Sequence, residues 1–309
     1  MGDSLDISFL LSGGELGPAE IDRLRSLDLE ELRGALATYL GEEEIDDALD
    51  RIRSILAHPA ALPEASEDSS DADGAVEISV LADPEEVATR AAELVEELAK
   101  AAIAARGRFA LALSGGSTPK LLHAALATRN LPWPNILVLF SDERAVRHDH
   151  PDSNFKMALE TLIGPGQVPL ESVFRIEADD GDAKSAAASY ETRLTELLGP
   201  EGIVDAVILG MGEDGHTASL FPGAQVEMNL VVATEAPPKS PVSARVSFSY
   251  EALRKAREAI VLITGENKAE RTAEVLSGES DLPIARVLSS RSRSRVFCDR
   301  AAASGLGKR

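Results

Sequence analysis

Between positions 18 and 58 apolar residues recur every three to five places: Ile21, Leu24, Leu29, Leu32, Leu36 and Leu40, then Ile45, Leu49, Ile52 and Leu56. That spacing lines one face of a helix. With Pro18 placed to start a helix and Gly41 to break one, residues 1–58 are expected to form two or three short amphipathic helices. Residues 59–74, PAALPEASEDSSDADG, have almost no large apolar side chain with which to offset the entropy of being ordered, and read as a flexible linker. Downstream the pattern changes. Apolar runs at 109–115, 135–143, 203–211, 229–236, 244–250 and 259–265 are mostly bounded by Gly, Pro, Asn or Asp and read as strands. Residues 84–107, 183–199 and 267–278 carry helical periodicity and end at or near glycine. This alternation implies an α/β domain over 75–309, with a largely parallel sheet covered by helices on both faces. In such a sheet ligands bind at the carboxyl ends of the strands.

Composition narrows the partners. The chain of 309 residues carries 31 Lys and Arg against 52 Asp and Glu, a formal net charge of −21. Residues 1–75 hold 19 of the acids and 5 of the bases. Such a field repels phosphate backbones, so nucleic-acid binding is disfavoured, and an anionic substrate has to be held by locally placed basic groups. No run approaches the roughly 18 apolar residues of a membrane span, and the start is acidic where a secretory signal would be basic. Asp6 also stands where a myristoylation signal wants Ser or Thr. A single cysteine, Cys298, cannot close an intramolecular disulfide and reads as a small buried residue. A cytoplasmic protein with no membrane partner is expected.

Three segments can carry chemistry. In Leu113-Ser114-Gly115-Gly116-Ser117-Thr118-Pro119-Lys120 an apolar strand runs into a helix start. Glycines at 115 and 116 let a ligand approach the backbone, Ser117 and Thr118 supply hydroxyls, and free N–H groups with the helix dipole favour an anion. A plain capped turn would look the same. In Ser141-Asp142-Glu143-Arg144 two carboxylates and a guanidinium end a strand, and Arg144 can grip a phosphate in bidentate fashion; the ordinary alternative is a solvated loop ion pair. Gly210-Met211-Gly212-Glu213-Asp214-Gly215-His216-Thr217-Ala218-Ser219-Leu220-Phe221-Pro222 is the most specific. His216 is the one histidine bracketed by glycines and an acid, which makes it the best general-base candidate. His148, Asp149, His150 and Asp152 imitate a metal cluster, but no cysteine or helix-spaced second pair supports metal binding, and none is expected. Lys268, in Thr264-Gly265-Glu266-Asn267-Lys268-Ala269, and Arg245, in the preceding strand, can each complete an anion pocket; the ordinary alternative is that Lys268 is a surface lysine on a helix.

Taken in order, LSGGSTP, SDER with the following DSN at 152–154, GMGEDGHTASLFPG and TGENKA resemble the 6-phosphogluconolactonase family of the oxidative pentose phosphate pathway, over about residues 76–304. The resemblance implies a Rossmann-like sheet shared with the glucosamine-6-phosphate deaminases. It also implies hydrolysis of 6-phospho-D-glucono-1,5-lactone without metal or organic cofactor, making 75–309 the lactonase domain. Carried onto this chain, it has His216 activate water and Asp214 orient the imidazole. Gly115, Gly116, Ser117, Thr118, Asp142 and Arg144 bind substrate, Lys268 helps hold the phosphate, and Arg245 matches a family arginine that precedes an alternating strand. Here that strand reads ARVSFSY, with Ser247 and Ser249 where threonines are expected. Two rivals stay open. A deaminase would place a further acid after the histidine, where this chain has Thr217-Ala218-Ser219-Leu220; a non-catalytic sugar-phosphate sensor would be expected to lose His216 or Asp214, and neither is lost. Residues 1–58 lie outside the resemblance and are free to bind a protein partner or mediate self-association.

Overall fold

The computed structural model describes residues 75–223, 228–291 and 293–307. The helices and linker expected over 1–74 lie outside them. Six strands, β1 (Ala75–Leu81), β2 (Phe109–Leu113), β3 (Ile136–Phe140), β5 (Ala206–Gly210), β8 (Glu258–Ile263) and β9 (Arg293–Asp299), form one parallel sheet in the order β1-β9-β8-β5-β2-β3. Every residue of β2 and of β8 is buried, so both their faces are covered, and β2 and the Ala259–Ile263 part of β8 read as unbroken apolar runs.

From β2 the chain moves outward to β3, whereas β5, β8 and β9 lie on the other side of β2. The connections therefore diverge between β2 and β5, opening a crevice at the carboxyl ends of those two strands. Helix α1 (Pro84–Arg106) starts at Asp83, whose side chain accepts the Glu86 N–H at 2.9 Å, and stops at Gly107, whose φ of 76° only glycine adopts without cost. Its buried face of Val87, Ala91, Val95 and Ala99 packs into the core with Leu111, Leu122 and Val296. The remaining helices are α2 (Ser117–Ala127), α3 (Asn154–Ala158), α4 (Ala183–Leu198), α5 (Tyr250–Lys255), α6 (Ala269–Val275) and α7 (Pro283–Ser289).

Two sequence expectations need correction. The runs at 229–236 and 244–250 do form strands, but not in the main sheet: β6 (Val231–Glu235) and β7 (Ala244–Phe248) make a separate antiparallel sheet with β4 (Asp142–Arg144), in the order β4-β7-β6. The run expected as one strand over 135–143 divides at Ser141. That residue bonds Leu113 O through its N–H at 2.7 Å and its hydroxyl at 3.0 Å, while its own carbonyl accepts the Phe248 N–H at 2.7 Å. Ser141 is thus a shared corner of both sheets, and it projects β4 toward the crevice.

Cys298 is free and buried on β9. His148 bonds Asp179 at 2.6 Å, and His150 accepts the Asp152 N–H at 3.1 Å. Among the described residues no three His, Cys, Asp or Glu side chains converge as a metal site would require. No helix among them is long and apolar enough to cross a membrane.

Candidate active site

The turn after β2 is built on glycine. Gly116 has φ 107° and caps α2 with no side-chain acceptor, so the first N–H groups of this 11-residue helix are left for a ligand, with no acidic residue in its first turn. At Gly115 an added Cβ would lie 1.9 Å from Asn154 Oδ1. Thr118 is buried, its hydroxyl 2.6 Å from that of Thr264 at the end of β8.

In β4 the strand alternation sorts the three charged residues. Asp142 accepts the Ser219 hydroxyl at 2.7 Å and the Asn154 side-chain amide at 3.3 Å. Arg144 donates to the Asp152 carbonyl. Glu143 turns the other way and is buried, accepting the N–H groups of Arg144, Asn154 and Phe155 at 2.7, 2.7 and 2.8 Å and the Ser153 hydroxyl at 3.0 Å. Burial pushes its carboxyl up, against the pull of those N–H groups. The pair of acids read from SDER is therefore split: Asp142 faces the crevice, and Glu143 anchors the start of α3.

After β5 the loop closes on itself. Gly212 N–H bonds His216 O at 2.8 Å and Gly215 N–H bonds Gly212 O at 3.1 Å. This brings Asp214 Oδ1 within 3.1 Å of the His216 N–H and 2.5 Å of its Nδ1. The imidazole also leans on Phe221, with centroids 4.8 Å apart. The hydrogen bond from His216 holds the Asp214 carboxyl down at about 2, so it stays ionised and keeps the proton on Nδ1. Nε2 has no hydrogen-bond partner among the described residues and its lone pair is available. The loop continues through Ala218, held at φ 47° by the Thr217–Leu220 turn, a conformation uncommon for a side chain with a Cβ.

These segments enclose a cleft of about 210 Å³. Gly115, Gly116, Ser117, Thr118, Asp142, Arg144, His216 and Lys268 all line it. Lys268 closes the 3₁₀ turn Glu266–Lys268 that follows β8; burial pushes its amine down while Glu213 and Asp214 pull it back up. Asp214 stands behind His216, outside the lining. Arg245 is not brought to the wall either. It lies opposite Arg144 in the β4–β7 register, buried, with Nη1 unpartnered among the described residues; burial and then the Arg144 charge lower its pKa. Thr264 and Met211 line the cleft without having been singled out by sequence reasoning. Their position directly beyond β8 and β5 was the available signal.

Residues 82–297 match the model of a protein family described as glucosamine-6-phosphate isomerases/6-phosphogluconolactonase. The chain belongs to that family. It is 36% identical over 211 residues to the 6-phosphogluconolactonase of Nostoc sp., covering 66% of this chain and 86% of the relative. To the 6-phosphogluconolactonase of Rhizobium meliloti it is 35% identical over 219 residues, covering 68% and 92%. Among solved structures, the 6-phosphogluconolactonase of Trypanosoma brucei superposes with a TM-score of 0.69 at 30% identity, covering 75% of this chain and 99% of that one. The α/β architecture of the described residues is that of the family's solved members.

Proposed function

We propose that the chain hydrolyses 6-phospho-D-glucono-1,5-lactone to 6-phospho-D-gluconate in the oxidative pentose phosphate pathway, with His216 as general base. The observation that carries this reading is the Asp214–His216 pair, 2.5 Å apart, whose imidazole lines a cleft together with an uncapped helix start and two cations. The similarity to lactonases across two thirds of the chain supports the choice of substrate.

A lactone carbonyl is already electrophilic, so an oriented water and a base are sufficient and no covalent nucleophile is needed. As the water oxygen bonds C1, its proton passes to Nε2, and the ionised Asp214 stabilises the imidazolium that results. The carbonyl oxygen becomes an oxyanion, which backbone donors or a cation of the cleft wall must meet. Collapse breaks the bond between C1 and the ring oxygen, to which Nε2 returns the proton. Meanwhile the α2 start, Arg144 and Lys268 hold the phosphate, far from C1, and turn its binding energy into orientation. Asp142, fixed by Ser219 and Asn154, is left to accept from sugar hydroxyls.

Acid release from the phosphorylated lactone by pure protein, corrected for spontaneous hydrolysis, tests the proposal against ammonia release from glucosamine 6-phosphate. Lactone consumption without ammonia is expected. Ammonia alone would make the chain a deaminase, and inactivity on both would favour a sensor.

A further inference from the structure

Beyond Gly210 and Leu262, which are register partners on neighbouring strands, β5 and β8 part company. One backbone enters the loop that carries His216, the other the 3₁₀ turn that carries Lys268. Among the described residues no backbone hydrogen bond joins residues 211–217 to residues 264–271. Two side-chain bonds do, and both end on Glu213. The Asn267 amide donates to Glu213 Oε1 at 2.6 Å, and Arg271 Nε donates to the Glu213 carbonyl at 3.2 Å. Glu213 thus sits next to the partner of the base in one loop and grips the residue before Lys268 in the other.

We infer that Glu213 and Asn267 form a latch that sets the separation between the base and the phosphate-holding amine, making Glu213 a positioning residue for the phosphorylated substrate. The inference rests on the functional reading above. A substrate held at its phosphate and attacked at C1 is sensitive to that separation, because a grip displaced from the base either loses the anion or draws the carbonyl out of reach. The latch is polar and charge-assisted, and it stands on the solvent-exposed side chains of Glu213 and Asn267, outside the buried core. Its role is therefore separable from folding. The Glu213 carboxylate also lies close enough to Lys268 to oppose the effect of burial on that amine.

The test uses full-length protein and two substrates, the phosphorylated lactone and unphosphorylated gluconolactone, and reads the ratio of their kcat/KM values. Lys268→Ala is the reference: collapse of its ratio establishes that Lys268 serves the phosphate. Glu213→Ala and Asn267→Ala are each expected to lower the ratio about threefold to tenfold, the scale of one net hydrogen bond, through KM on the phosphorylated lactone more than through kcat. The double variant is expected to be no worse than the poorer single, the signature of one shared interaction. Glu213→Gln, which keeps an acceptor for Asn267, should recover part of the loss. If Lys268→Ala collapses the ratio while Glu213→Ala leaves it intact, or lowers both substrates equally, the latch is refuted and the functional reading stands. Additive losses in the double variant refute the coupling as well. If Lys268→Ala itself spares the ratio, it is the assignment of the phosphate site that fails.

Discussion

Gly212→Ala should abolish most of the activity without unfolding the protein. The backbone there is outside the left-handed region, so alanine meets no conformational penalty. The obstacle is the active-site pair itself: a Cβ would lie 2.1 Å from His216 Nδ1, 2.2 Å from its Cε1 and 2.6 Å from Asp214 Oδ1. Ordinary contact begins at 3.4 Å, so the ring must retreat by about 1 Å or more, or swing away from Asp214. A misplacement of about 1 Å can cost on the order of a hundredfold in rate, and losing general-base catalysis outright costs roughly 10²–10⁴-fold. The expected result is therefore at least a hundredfold fall in kcat on the phosphorylated lactone. Because Gly212 and the two side chains it would displace, Asp214 and His216, are part-exposed at the cleft and outside the apolar core, the melting temperature should move by only a few degrees, the effect of about 1 kcal/mol on a domain of this size. Turnover is read by pH-stat with the spontaneous rate subtracted, and the fold by thermal circular dichroism. A variant with near-native turnover would mean that the imidazole does not need its observed position.

Arg144→Ala should reduce kcat/KM on the phosphorylated lactone about tenfold to a hundredfold, the scale of a charged hydrogen bond, and reduce that on gluconolactone less; equal losses would assign Arg144 to the carbonyl or to folding. His123 is fully buried and desolvation pushes its pKa down to about 4. Since the unfolded chain takes up this proton near pH 6.5 and the folded chain does not until about 4, stability falls as pH drops through that window, by on the order of 3 kcal/mol. Urea melts from pH 7 to 4 should show a shallower decline in His123→Leu, and an unchanged slope would exclude His123 as its source. A chain beginning at Gly74 should stay soluble and keep near-native turnover, because every residue assigned to the cleft lies after position 110; an insoluble or inactive product would make residues 1–73 integral to the enzyme.

What could be read from the sequence was local. The helix expected over 84–107 is found as Pro84–Arg106 because its signals, an acid before a proline and a terminal glycine, act within a few residues. β1 and β9 escaped because both alternate with polar or charged residues, Glu77 and Ser79 in one, Arg293 and Arg295 in the other. β1 is the sheet edge, where Ile78 and Val80 are exposed and no continuous apolar run is required. The break at Ser141 is invisible in NILVLFSDE since it depends on partners 28 and more residues away, Leu113 and Phe248. Alternation in SDER did carry the division between Asp142 and Glu143, which a period-two reading would have exposed. The cleft motifs were legible because glycine, hydroxyl and charge at a strand end imply a ligand. Which of them meet was not, since that depends on strand order. Nor could local pattern set the register that puts Arg245 opposite Arg144 and back from the wall.

The central claim is that His216, oriented by Asp214, activates the water that opens the lactone. The most direct test is the turnover of His216→Ala on 6-phospho-D-glucono-1,5-lactone beside unmodified protein, with spontaneous hydrolysis subtracted and the fold checked by circular dichroism. A folded variant slowed by roughly a hundredfold or more is expected for the loss of a general base. A folded variant that turns over at the undiminished rate would remove His216 from the reaction and contradict the account.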